Sequence, residues 1–138
     1  MAEINDWNRS IIDEFHSNAG KVGGQFANMT LLLLTTTGAK TGQRRTNPVA
    51  YRLEGDRTYV FASYAGAPTN PDWYHNLVAH PTVTVEIGTE TFEATAVPVT
   101  GAERDRIYAA QAKVFPGFAE YQAKTARTIP VVALDRVP

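Results

Sequence analysis

Apolar positions recur at helical spacing at the start of the chain. Ile4, Trp7, Ile11 and Phe15 fall three or four residues apart, the period of one helical face. They predict an amphipathic helix over residues 4–17, with Asp6, Arg9, Asp13 and Glu14 on its polar side. Asn18-Ala19-Gly20 ends it, and Gly23-Gly24 marks a loop. Strand patterning follows. Residues 30–37 are leucine-rich and β-branched, and residues 38–42 form a glycine-flanked turn. A second strand covers residues 45–53, where Asn47-Pro48 marks an edge or a bulge. Glu54-Gly55-Asp56 turns into a third strand over residues 57–63, completing a meander.

Residues 65–71 read as a loop. Asn70-Pro71 offers an N-cap and then proline at the first helical position. A short helix is expected over residues 71–79, with Trp73 and Leu77 on one face, stopped by His80-Pro81. Strands over residues 82–87 and 90–99 flank the turn Gly88-Thr89. Thr100 and Glu103 have capping-box spacing and open a helix to residue 114, which Pro116-Gly117 breaks. A short helix over residues 118–126 and a strand over residues 129–134 finish the chain, with Pro130 near the strand's start. Turns this short suit antiparallel pairing and exclude parallel crossovers. The pattern gives an α+β fold on an antiparallel sheet able to close into a small barrel. With no repeat or linker, one domain is expected over residues 19–138, preceded by the helix in residues 1–18.

Composition narrows the function. The 138 residues are 43% hydrophobic and 20% charged, which fits one globular domain and excludes chain-wide disorder. The absence of cysteine excludes disulfides, thiolate metal sites and a cysteine nucleophile. A net charge of −1 argues against nucleic acid as a partner. The acidic start is wrong for a signal peptide, and the longest strongly apolar run, residues 31–34, cannot span a bilayer. A cytoplasmic protein is expected. The first helix lacks the Lys and Arg of a membrane-surface helix, although the sequence leaves that surface open as its partner.

The charges are unevenly placed. From Phe15 to Leu53 there is no Asp or Glu, while Lys21, Lys40, Arg44, Arg45 and Arg52 lie in that stretch. Such a cluster in a near-neutral chain suits an anionic small ligand, or else a solvated basic hairpin. Gly38-Ala39-Lys40-Thr41 is not a phosphate loop of the nucleotide triphosphatase type: Ala39 precedes the lysine and a strand follows. Its turn amides, with Lys40 and Arg45, still suit a phosphate or carboxylate. His75 and His80 are five apart with no carboxylate between them, so no metal is expected. Ser63 lacks the Gly-x-Ser-x-Gly context of a hydrolase, but it can line a pocket at a strand end or simply terminate the strand. Asn70, Trp73, Tyr74 and Asn76 form one aromatic and amide group. Trp73 reads as core, with Tyr74 and Asn76 facing solvent or a cleft. Phe115, Phe118 and Tyr121 form another group, either a packed helix face or one wall of a planar-ligand pocket.

Three segments together resemble the deazaflavin-dependent nitroreductase family. They are Leu34-Thr35-Thr36-Thr37-Gly38-Ala39-Lys40-Thr41-Gly42 with Arg45-Thr46-Asn47-Pro48, then Asn70-Pro71-Asp72-Trp73-Tyr74-His75-Asn76-Leu77, then Arg127-Thr128-Ile129-Pro130-Val131. The resemblance covers roughly residues 20–135. It implies a split β-barrel that binds coenzyme F420 and passes a hydride from the reduced cofactor to a quinone, nitroaromatic or activated enone. It places the phosphate and anionic tail on Ala39, Lys40, Thr41 and Arg45, continued by Thr46, Asn47 and Pro48. Phe61, Ala62, Ser63 and Tyr64 would line the deazaflavin ring, and Asp72, Trp73, Tyr74 and Asn76 would close the site. Phe118 and Tyr121 would face ring and substrate, with Ser63 or Tyr121 as proton donor. Nitro-reducing relatives can carry tyrosines in place of Phe115 and Phe118, and lysine in place of Tyr64, so this chain lacks those polar handles. An FMN-binding oxidoreductase and a non-catalytic deazaflavin carrier are the alternatives, and a homodimer is compatible with the barrel type.

Overall fold

A computed structural model describes residues 6–17, 31–55, 57–63 and 66–137. Its elements are α1 (Asp6–Ser17), β1 (Leu31–Thr37), β2 (Arg44–Glu54), β3 (Arg57–Phe61), α2 (Asp72–Ala79), β4 (Thr82–Ile87), β5 (Glu90–Val99), α3 (Gly101–Val114), α4 (Gly117–Lys124) and β6 (Val131–Arg136). The six strands close into a barrel in the order β1-β2-β3-β6-β5-β4, with every pair antiparallel. The expected split barrel with flanking helices is therefore the fold observed.

Period-two alternation builds the core. Leu32 and Leu34 of β1, Val49 of β2, Val60 of β3, Val83 and Val85 of β4, Ala94 and Ala96 of β5, and Val132 and Leu134 of β6 fill the barrel. Trp73 and Leu77 of α2 join them. The alternate residues of β3 and β6, including Tyr59, Phe61, Val131 and Ala133, pack outward with Ile107 and Tyr108 of α3 and Phe118 of α4. Leu33 packs outward against Ile12 and Phe15 of α1. Burial on both faces explains why residues 31–34 are all leucine. Each such side chain contributes roughly 1.5–3 kcal/mol through burial. The α1 face is the one its spacing predicts at Ile11 and Phe15, while Ile4 and the Trp7 side chain lie outside the described residues.

Strand direction divides the barrel into two unlike ends. The β2–β3 and β4–β5 connections are tight turns, at Gly55 and Gly88-Thr89. The opposite end carries the 38–43 turn, α2 between β3 and β4, and α3–α4 between β5 and β6. Pro48 pairs with Leu33 of β1, but only Tyr51–Glu54 of β2 pair with β3. It thus sits where β2 has one ladder partner, a position that tolerates the missing N–H.

Two caps differ from expectation. Pro71, not Asn70, is the N-cap of α2, and no side chain caps that helix. The Asn70 amide oxygen instead accepts from Arg127 Nη1 at 2.7 Å, a charge-assisted bond stronger than a neutral cap. Thr100 is the N-cap of α3, but its side chain makes no cap bond. Glu103 is drawn to Arg57 Nη1 and Tyr59 Oη, both at 3.3 Å, so the capping box does not form. Several element bounds also shift. β3 stops at Phe61, two residues early; α4 runs from Gly117 to Lys124; and β6 runs from Val131 to Arg136 rather than over residues 129–134. Pro130 has no N–H for the ladder, although its carbonyl accepts from Ala62 N at 3.0 Å.

Candidate functional site

The 38–43 turn is the first part of the site. Gly38 N donates to Gln43 O at 2.7 Å, and Gly42 N to Gly38 O at 3.0 Å. A Cβ on Gly38 would stand 2.7 Å from Thr41 Oγ1 and 3.2 Å from Gln43 O, so a larger residue there would push the Thr41 side chain and the turn backbone aside. Gly42 has φ +72°. The buried Asn76 of α2 fixes this turn from below. Its Oδ1 accepts from Ala39 N at 3.0 Å, and its Nδ2 donates to Thr36 Oγ1 at 3.2 Å. Both amide atoms are occupied, which is how a buried Asn avoids its desolvation cost. Asn76 therefore faces the turn rather than solvent.

Charge at this turn has no ion pair among the described residues. Lys40 is exposed and Arg45 half-buried, and neither makes an ion pair or hydrogen bond with any described residue. Arg44 donates to Thr84 Oγ1 at 2.6 Å. Arg45 pairs in register with Thr36, and Asn47 with Leu34, which gives both the inward parity at the barrel mouth. Thr46 and Pro48 have the outward parity, and Thr46 is bonded to Thr35 Oγ1 at 2.8 Å.

The second part lies where β3 ends. Phe61 and Phe118 rings are 5.4 Å apart and Phe118 and Tyr121 rings 5.6 Å, so β3 and α4 share one aromatic wall. Phe118 is buried, while Phe115 and Tyr121 are partly buried at its edge. Tyr108 backs this wall, donating to Phe118 O at 2.5 Å, and burial pushes its phenol up to about 12. Ala62 is wholly buried inside the barrel and Ser63 is half-buried at the rim. Asp72 is exposed on the first turn of α2, Trp73 is buried, and Tyr74 is partly buried. Tyr74 also lines a cavity of about 380 Å³ with Val99, Gly101, Arg104 and Pro130. Tyr64 lies outside the described residues. Ala62 and Ser63 follow the aromatic wall and residues 66–71 precede α2, which carries Asn76 back to the turn. All the described candidates thus lie toward the helical end of the barrel.

Residues 38–45 suit a ligand with a phosphate and further negative charge. They offer closed-turn backbone, a point-charge ammonium and an inward guanidinium that has no ion pair among the described residues. Among the described residues no His, Asp or Glu group is arranged to hold a metal.

The sequence model described as F420H(2)-dependent quinone reductase matches residues 7–136. The chain belongs to that family. An F420H(2)-dependent quinone reductase of Mycobacterium tuberculosis is 43% identical over 110 residues, covering 76% of this chain and 72% of the relative. The solved structure of an F420-H2 dependent reductase is 38% identical with a TM-score of 0.70, covering 77% of this chain and 94% of its own. A second, described as a domain-swapped dimer, is 34% identical with a TM-score of 0.72, covering 94% and 98%. The resemblance to deazaflavin reductases is thereby borne out. For the F420H(2)-dependent quinone reductases the activity is an F420-linked reduction and the cofactor is F420, and at that level both apply here.

Sequence reading gave no role to Arg127 or Gln122, or to Gly66. Periodicity marks none of them, because the side-chain bonds of Arg127 and Gln122 and the close packing of Gly66 reach outside their own helix, strand or loop. The only signal was the presence of Arg127 in one of the three resembling segments.

Proposed function

We propose that this member of the family passes a hydride from reduced F420 to a quinone, with nitroaromatics and activated enones as acceptors of the same reactivity. The observation that supports the reading best is the pair Lys40 and Arg45, cations without partners among the described residues, flanking a closed turn. F420 carries a phosphate and glutamate carboxylates, which need that charge in a protein with a net charge of only −1. Bound, the cofactor supplies the hydride, so the protein needs orientation and electrostatics rather than a nucleophile.

The chain's residues then divide the work. Lys40 and Arg45 neutralise the anionic tail beside Ala39 and Thr41. Asn47 extends that wall, while Thr46 and Pro48 support it from the outward face. Phe61, Ala62, Ser63 and Tyr64 back the ring. Trp73, Tyr74 and Asn76 fix the α2 side, with Asp72 at its exposed edge. Phe118 and Tyr121 form the wall toward the acceptor, and the Ser63 or Tyr121 hydroxyl holds the proton that the acceptor oxygen takes up. We further propose that residues 19–138 form the cofactor-binding domain and residues 1–18 its N-terminal helix, that two copies assemble as a dimer, as the domain-swapped neighbour suggests, and that the protein works in the cytoplasm. Among the described residues no helix is long and apolar enough to cross a membrane.

The test is anaerobic oxidation of F420H2 by the purified protein with menadione and a nitroimidazole as acceptors, and FMN binding as the control. Turnover with menadione is expected. F420 binding without turnover of any acceptor would replace the enzyme by a carrier. Binding of FMN alone would overturn the cofactor.

A further inference from the structure

Arg127 lies between α4 and β6, and four of its hydrogen bonds reach one short segment. Nε donates to Ala67 O at 2.9 Å, Nη1 to Ala62 O at 3.1 Å and Asn70 Oδ1 at 2.7 Å, and Nη2 to Ser63 O at 2.8 Å. All four acceptors are neutral, so the guanidinium is held by geometry and not by an ion pair. A planar fork with five donors suits this arrangement, and an ammonium with three does not.

The arginine is itself anchored to α4. Gln122 Nε2 donates to Arg127 O at 2.8 Å, and Gln122 Oε1 accepts from Ile129 N at 3.1 Å and from Arg104 Nη2 at 2.7 Å. A second contact joins the same two segments independently. Gly66, with φ +78°, packs so closely on α4 that a Cβ there would stand 2.8 Å from Tyr121 O and 3.1 Å from Lys124 Cβ. One segment bears Ser63 and the other bears Tyr121. Their relative position therefore depends on Arg127 and on the Gly66 contact.

We infer that Arg127 is a positioning residue that clamps Ala62, Ser63 and residues 66–70 onto α4 and so sets the gap between the Ser63 and Tyr121 walls of the hydride-transfer site. The inference rests on the proposed placement of that site between those walls. Hydride transfer is sensitive to small changes in such a gap, because a misplacement of about 1 Å can cost on the order of a hundredfold in rate. Tail binding at Lys40 and Arg45 uses a different part of the chain and is left intact.

Arg127→Lys keeps the charge and removes the fork. In the full-length protein it should lower kcat with menadione by about tenfold or more, while F420 affinity, read by fluorescence titration, stays within about threefold. A kcat within about twofold of wild type would overturn the inference, as would parallel loss of kcat and affinity. Hydrogen exchange on the cofactor-free protein gives a second readout. Arg127→Lys should speed exchange in Ala62, Ser63 and residues 66–70 and in Gly117–Lys124 together, whereas acceleration confined to one segment, or in neither, overturns the clamp. Gly66→Ala attacks the contact without touching a charge and should loosen the same two segments. That variant decides the matter if Arg127→Lys does not fold. Failure of the wild-type protein to bind F420 would defeat the functional reading alone, and the exchange data would still decide the clamp.

Discussion

The two ends of the barrel treat their arginines differently. At the hairpin end, Arg52 Nε meets Glu54 at 2.8 Å, Arg57 Nε meets Asp135 at 3.0 Å, and Arg136 Nη2 meets Glu90 at 2.8 Å. Arg106 of α3 adds a second bond to Glu54 at 2.9 Å. At the helical end, Lys40 and Arg45 have no partner among the described residues, and Arg127 is bound by carbonyl and amide oxygens. Arg104 bonds Ile129 O and Gln122 Oε1, and its one ion pair among the described residues goes to the exposed Asp105. Paired charges close a surface. Unpaired ones leave a field available to an anion. The tight turns sit at the first end and the site candidates at the second, so local economy and the proposed site have separate addresses on one barrel.

The comparison breaks most severely if α2 is not the plug of the helical end. Trp73 is 7% exposed within the barrel core. Trp73→Ala should cost about 3–5 kcal/mol in urea unfolding, the usual loss for a large aromatic in a packed core. A loss below about 1 kcal/mol would mean that the helical end is not closed by this side chain. Asn76→Ala is the next step down. It strands Ala39 N and Thr36 Oγ1 and should cost about 1–3 kcal/mol, with the 38–43 turn loosening in hydrogen exchange.

Much of this division was readable beforehand. The meander, the two short-turn hairpins and the apolar face of α2 followed from alternation, glycine turns and the Trp73–Leu77 spacing. The cation cluster at residues 40–45 was visible because acidic residues are absent across Phe15–Leu53. Parity could not be read without register: Arg45 and Asn47 face one way and Thr46 and Pro48 the other only once Thr36 is paired with Arg45. The caps at Asn70 and Thr100 were misread because each local bond lost to a distant charge, Arg127 for Asn70 and Arg57 for Glu103. Backbone acceptors such as those of Arg127 leave no trace in residue identity.

The double variant Lys40→Ala with Arg45→Ala tests the electrostatic half of the comparison. Neither side chain has a partner to lose among the described residues, so unfolding stability should change by less than about 0.5 kcal/mol. F420 affinity should fall by about tenfold or more, roughly 1.4 kcal/mol. Wild-type affinity should also weaken as salt rises, and the variant's much less. Arg52→Ala at the hairpin end is the control, with affinity unchanged within about twofold. Equal losses from both ends would remove the distinction between them.

The smallest effect belongs to the hairpin end and runs through pH. The Arg52 and Arg106 guanidiniums bonded to Glu54 hold its carboxyl below the ordinary carboxylate range. A carboxylate whose folded pKa is depressed contributes stability above its unfolded pKa, about 4.3, and loses it as pH falls through the folded value. Glu54→Gln removes that contribution. The wild-type advantage in unfolding free energy should be within about 1 kcal/mol near neutrality, since the group is partly solvated. It should shrink steadily below about pH 4.3 and approach zero once both states are protonated. F420 affinity of the Glu54→Gln protein near neutrality should match wild type, because the charge removed stands at the end of the barrel opposite the turn. An advantage that grew on acidification would reverse the sign of the coupling. It would mean that Glu54 is protonated more readily in the folded chain than in the unfolded one, and that its two arginines do not neutralise it.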